Sequence, residues 1–278
     1  MTLTIQSPAH STIPPGKYSR AGAVRSEWTK LRSVRSTTWS LAAMIALAIG
    51  IGILATATEA SRWATTSAAD RLTFDPTALS LTGLLFGQLA IGVLGILVMS
   101  AEYSTGTIRA TLAAIPNRPL VLATKALVFT ATSVVVGLAV SFAAFFIGQA
   151  ILSGSTAHAT LGIPGVLRAV IGGGLYLAVL GLLALGLATI IRHTAGAISA
   201  FVGVLFILPL IAQALPSSIR DGIEKYLPAN IGATLTSVVP GFRSSASAFS
   251  PWVGFAILCG YAVAALGVGA WLLQRRDA

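Results

Sequence analysis

The sequence predicts an all-α, polytopic integral membrane protein: six transmembrane helices, an N-terminal interfacial helix and a short cytoplasmic helix. Two observations carry this. Hydrophobic residues fill 55% of the 278 positions and charged residues only 9%, with a mean hydropathy of +0.85, whereas soluble domains carry about 25% charged residues. The apolar residues also gather into six uncharged runs of about 20 residues or more, each able to cross a hydrocarbon core as a helix. The runs are continuous and do not alternate, which suits helices and not barrel strands, because a segment in hydrocarbon must satisfy its own backbone. Length alone allows one or two domains. Composition favours a single membrane domain over 20–274, between a disordered cytoplasmic tail at 1–19 and a short one at 275–278.

The tail carries Ser7-Pro8 and Pro14-Pro15 and has no apolar period, so disorder is expected there. Residues 20–36 read RAGAVRSEWTKLRSVRS. Ala21, Val24, Trp28, Leu31 and Val34 recur at helical spacing, and Arg25, Thr29, Arg32 and Ser33 fall mainly on the other side. This pattern suits a helix lying in the inner membrane interface with its cations near anionic headgroups. The plainer alternative is that the segment only supplies topogenic charge. Glu27 sits at the edge of the apolar arc and does not suit contact with lipid, so it is a candidate to pair with Lys30 or with another subunit.

The spans are expected at 37–58, 78–101, 126–150, 169–191, 195–215 and 252–273. Ala55-Thr56-Ala57 resembles a signal cleavage site, but the first run is longer than the roughly 7–15 residues of a signal h-region, so it is expected to stay as a span. After the second span come Glu102-Tyr103-Ser104-Thr105-Gly106-Thr107-Ile108-Arg109 and then ATLAAIPNRPLVLATK. Gly106 loosens the end of the span, and Thr105 or Thr107 can cap a short helix whose apolar face is Ile108, Leu112 and Ile115. Pro116 with Pro119 ends it. Such a face needs a surface to dock on, either the inner leaflet or a partner protein. Residues 216–250 are too apolar for a plain loop, above all from Ile231 to Val239. They read as an interfacial or partly re-entrant hairpin broken at Pro228 and Pro240, or as a solvated loop with a short surface helix.

Charge orients the spans. With the N-terminus inside, twelve of the 18 basic residues fall on the cytoplasmic side and six outside, together with five of the eight acids; this bias supports cytoplasmic ends. The same placement argues against nucleic acid as a partner despite a formal charge of +10, since the cations flank spans and do not form one patch. Cys259 is the only cysteine, which excludes an intrachain disulfide and a cysteine metal cluster. His10, His158 and His193 lie in the tail, an outer loop and a span end, without paired carboxylates or metal spacing, which disfavours an intramembrane enzyme. No ionisable residue is expected in the middle of a span, unlike ion-coupled carriers, which bury such groups. The most polar central residue is Gln88, a candidate contact in a translocation path, although a glutamine between helices is more often an interhelical hydrogen-bonding group.

With these segments in place the chain resembles the membrane subunits of type-2 ABC transporters, especially small actinobacterial permeases. The resemblance rests on Glu27 to Ser36 before the first span, on Glu102 to Arg109 after the second, and, more weakly, on Tyr226-Leu227-Pro228-Ala229-Asn230. It implies that Arg25, Glu27, Trp28, Lys30 and Arg32 belong to a helix along the inner leaflet. It implies also that Glu102, Tyr103, Thr105, Gly106, Thr107 and Arg109 form a coupling segment for a separate ABC ATP-binding subunit. ATP and Mg are then expected on that partner and no cofactor on this chain, which has no G-x-x-x-x-G-K-[ST] phosphate loop. Six spans make half of the family's usual assembly, so a second permease copy or a paralogue is implied. Export of an amphiphile is the expected activity. A secondary carrier or channel, and a passive scaffold or immunity protein, are the competing readings.

Overall fold

The computed structural model describes residues 19–154, 157–240, 242 and 248–275. The expected polar tail thus lies outside the described residues except for Ser19. That residue begins the structure: its hydroxyl accepts from Gly22 N at 2.9 Å, which satisfies one of the free N–H groups at the start of α1, Arg20–Ser33. Val34 is extended (φ −82°, ψ 123°) and turns the chain into the first span, α2, Arg35–Arg62. Two short helices follow, α3 (Ala68–Leu72) and α4 (Pro76–Ser80), and then the second span, α5, Leu84–Ser104.

The expectation of a continuous second span from 78 needs correction. Bonds from Leu84 N to Leu81 O and from Leu85 N to Thr82 O, both 3.1 Å, tighten the chain between α4 and α5. The cause is packing. A Cβ at Gly83 would stand 1.9 Å from the Ala48 carbonyl oxygen, so only glycine lets the chain cross α2 here.

Beyond α5 come α6 (Thr107–Ala114) and the third span, α7, Arg118–Leu152. The third span was expected to begin at 126, yet its helix starts eight residues earlier. Asn117 caps it by accepting from Leu120 N at 3.1 Å, and Pro119 sits in the first turn, where its missing N–H costs nothing. Pro119 therefore opens α7; it does not close α6. The fourth span is α8, Val166–Ile191. The fifth is α9 (Thr194–Val202), a π turn over Gly203–Ile207, and α10 (Leu208–Gln213). Pro209 has no N–H to give Leu205 O and crowds that carbonyl, and the wider turn just before it accommodates the defect. Next are α11 (Ser217–Glu224), α12 (Pro228–Thr236) and the sixth span, α13, Pro251–Arg275.

The six long apolar helices among the described residues are those of a multi-pass membrane protein. α8 is the central one, packed against α5, α7 and α13, while α2 lies against α5 and α7. Glycines on α8 set these contacts. A Cβ at Gly95 of α5 would lie 2.2 Å from Gly181 O, one at Gly137 of α7 2.6 Å from Gly174 O, and one at Gly186 2.8 Å from Ala265 Cβ of α13. Lipid is as apolar as leucine, so helices in a bilayer gain by close backbone approach and not by hiding apolar surface.

At the end of the bundle opposite the N-terminus, the segment after α10 combines features of both readings of its sequence. α11 is exposed, whereas α12 is wedged between α8 and α13 with Ile231, Gly232, Leu235 and Thr236 buried. Asp75 ties this helix down. One carboxylate oxygen accepts from Ala78 N at 2.9 Å and caps α4; the other accepts from Ser237 Oγ, Val238 N and Val239 N at 3.1, 2.5 and 2.8 Å. Arg168 donates to the Leu235 and Ser237 carbonyls at 2.9 and 2.7 Å, which closes the C-terminus of α12 with a cation. Gln149 joins α7 to α4 by donating to Pro76 O and Ser80 Oγ at 2.9 and 2.8 Å.

Candidate functional site

The residues singled out in sequence converge at the N-terminal end, where α1, α5, α6 and α7 meet. α1 runs against α7, and its inward face is Ala23, Glu27 and Leu31, residues spaced by four. Trp28 is 48% exposed, and Arg25 and Arg32 are exposed beside it. The protein thus takes the edge of the helix that holds Glu27, and the tryptophan and the arginines stay free for the surroundings.

Glu27 is buried because it has partners. Its two carboxylate oxygens accept from Lys30 Nζ and Lys125 Nζ, each at 2.8 Å. The same two ammonium groups reach Glu102 Oε1, at the end of α5, at 2.8 and 2.5 Å. Thr111 on α6 completes the group: it accepts from Lys30 and donates to Glu102, both at 3.4 Å. Two cations and two anions from three helices therefore form one neutral cluster. Neutrality matters, because moving single charges out of water costs several kcal/mol each, and only matched pairs recover it. Burial by itself would lower the pKa of Lys30; hydrogen bonds and attraction from Glu102 and Glu27 outweigh it and hold the group above its ordinary value.

Past Glu102 the chain turns outward. Tyr103 is half-buried, with the Arg192 guanidinium 5.2 Å from its ring centre, and Arg192 itself ends α8 in the left-handed region (φ 61°). Thr105 does not cap α6, and neither does Thr107. The Thr105 hydroxyl donates back to Ala101 O at 2.8 Å and lies 2.9 Å from that of Thr107. The capping position belongs to Gly106, which has φ +71° and no capping side chain. The backbone must turn sharply there, and a left-handed residue achieves this at little cost only when it is glycine. The apolar face of α6 docks on its own chain: Ile108 is 2% exposed and Leu112 packs against the same core. Leu112 and Ile115, the rest of the expected face, remain partly exposed. What remains exposed is a tip made of Ser104, Thr105, Gly106, Thr107 and Arg109.

Gln88 stands apart from this region. It is wholly buried in α5, and its Oε1 accepts from Tyr176 of α8 at 2.6 Å. Lys125 was missed by sequence reasoning, which assigned it to the edge of the third span. The available signal was Glu27, an acid out of place on an apolar arc and in need of a cation beyond Lys30.

A sequence model of the family described as "ABC-2 family transporter protein" matches residues 23–211. These residues include most of α1, the charge cluster, the exposed tip, the first four spans and all but the end of the fifth. No curated protein matches the chain.

Proposed function

Because the chain belongs to the ABC-2 family of transporter proteins, we propose that it forms the translocation path of an ATP-driven exporter and is worked by a separate ATP-binding subunit. Its role as membrane permease of an ABC transporter follows from the family. The observation that supports coupling through the segment after α5 is the way its tip is mounted. Thr105, Gly106, Thr107 and Arg109 face outward, while Glu102 on one side is held in the charge cluster and Ile108 on the other is held in the core. A partner pressing on the tip therefore loads α1, α5 and α7 together, since the cluster ties all three. The positive-inside bias puts this end in the cytoplasm, where ATP and Mg are bound by the partner. A second permease copy or a paralogue completes the path, and the cargo is an amphiphile.

The test is reconstitution with the cognate ATP-binding subunit. Alanine at Thr105, Thr107 and Arg109 is expected to weaken co-purification and to uncouple ATP turnover from transport while the permease stays monodisperse. Unchanged association and turnover, or transport driven by a proton gradient alone, would overturn the proposal.

A further inference from the structure

A cavity of about 390 Å³ lies at the N-terminal end, between the α1–α2 corner and the adjoining ends of α5 and α7. Much of its wall is hydrocarbon, supplied by Leu31, Leu94, Leu97, Val98, Val128 and Phe129. The charged side chains that also line it, Glu27, Lys30, Glu102 and Lys125, are spent on one another, each within 2.8 Å of an opposite charge. The interior therefore does not select a charged ligand. It selects an aliphatic chain, whose methylenes gain dispersion contact along such walls, whereas water finds few polar partners there.

Chemistry of the opposite kind gathers at the corner. The extended Val34 separates α1 from α2, and Val34, Ser36 and Thr37 line the cavity there. Arg32 and Arg35 flank Val34 in the chain and are both exposed. Over residues 20–35 the cations are Arg20, Arg25, Lys30, Arg32 and Arg35, against the single acid Glu27, and Trp28 is exposed on the same helix. Tryptophan and arginine together place this helix at headgroup depth, where phosphate is the abundant anion.

We propose that the cavity holds one acyl chain of a bilayer phospholipid, whose phosphate is gripped at the α1–α2 corner by Arg32 and Arg35. Bilayer lipid, and not cargo, is the occupant because the hydrocarbon wall reaches Val34 and Ser36, and the chain immediately beside these residues carries the exposed Arg32 and Arg35, cations suited to a phosphate. The inference rests on membrane residence; Thr105 and Thr107 of the exposed tip also line the cavity, and its test leaves both unaltered.

The test uses the full chain in nanodiscs containing phosphatidylglycerol with a diazirine near the end of one acyl chain. After illumination, adducts are expected at cavity residues such as Leu94, Val98 and Val128, beside those at lipid-facing Leu54 and Leu210. Val98→Trp, which fills the cavity, is expected to abolish the first set and leave the second; Leu97→Phe is the milder substitute if that variant misfolds. The double change Arg32→Gln and Arg35→Gln is expected to reduce cavity labelling roughly tenfold or more, the scale of two lost contacts near a membrane surface. Adducts confined to Leu54 and Leu210, or cavity adducts that persist when the cavity is filled, would overturn the proposal. Cavity labelling unaffected by the arginine changes and displaced by a long-chain alcohol would overturn the phospholipid assignment in favour of an amphiphilic cargo. Loss of association with an ATP-binding subunit in the same preparations would leave the inference standing.

Discussion

Removing the Lys125 ammonium, whose side chain is 1% exposed, would leave Lys30 as the one cation between Glu27 and Glu102 and hence one carboxylate charge uncompensated at a buried position. Breaking a buried pair from one side costs about 3–5 kcal/mol. Lys125→Met is therefore expected to lower the thermal unfolding midpoint in detergent sharply. Adding Glu27→Gln should recover part of the loss, and a double-mutant cycle would measure the coupling. Lys30 supports a pH prediction. Its pKa in the folded chain is raised, so its contribution is fully present below the ordinary value near 10.5 and is lost as pH rises through the higher folded value. A cysteine at the buried Ala23 of α1, in a Cys259→Ala background, should then stay protected from alkylation by soluble iodoacetamide, read at that residue by mass spectrometry, until pH exceeds about 10.5. Protection lost between pH 7 and 9 would contradict this. Glu27 was legible in sequence as a residue in the wrong place. Lys125 was not legible, because a basic residue at the edge of an apolar run looks the same whether it faces headgroups or a buried carboxylate.

Helix identities and most boundaries follow from apolar run length, and the departures have local causes: Gly83 against Ala48, Pro119 at the start of α7, Pro209 after the π turn. α12 is different. Its apolar residues said only that the segment avoids water; the caps from Asp75 and Arg168 decide that it is inserted between α8 and α13. Asp75→Asn keeps the shape but turns an amide, in place of a full acceptor, toward the Val238 and Val239 N–H groups. Its expected cost is roughly 1–3 kcal/mol. Faster proteolysis beyond α12 than in the parent chain is the expected readout, with the N-terminal end unaffected.

The whole molecule is polarised. The charge cluster and the basic helix α1 occupy one end, and the Asp75 and Gln149 networks occupy the other. Which end faces the cytoplasm is tested by labelling single cysteines in intact cells, again without Cys259. Ile219→Cys on the exposed α11 should react with a membrane-impermeant maleimide, and Ala110→Cys on α6 should react only after permeabilisation. The reverse pattern would invert the proposed topology.

The sequence by itself determined six spans, a helix before them and a turn at Gly106, because hydropathy, helical period and left-handed backbone are properties of residues close together in the chain. Only the tertiary structure decided that Glu27, Lys30, Glu102 and Lys125 form one neutral cluster, that Ile108 of α6 is buried in the bundle, and that Gln88 meets Tyr176. Glu27 and Lys125 are 98 positions apart, and Gln88 and Tyr176 are 88. Partners at such separations are chosen by which helices the glycines of α8 and its neighbours allow to approach, and no run of local hydropathy encodes that choice.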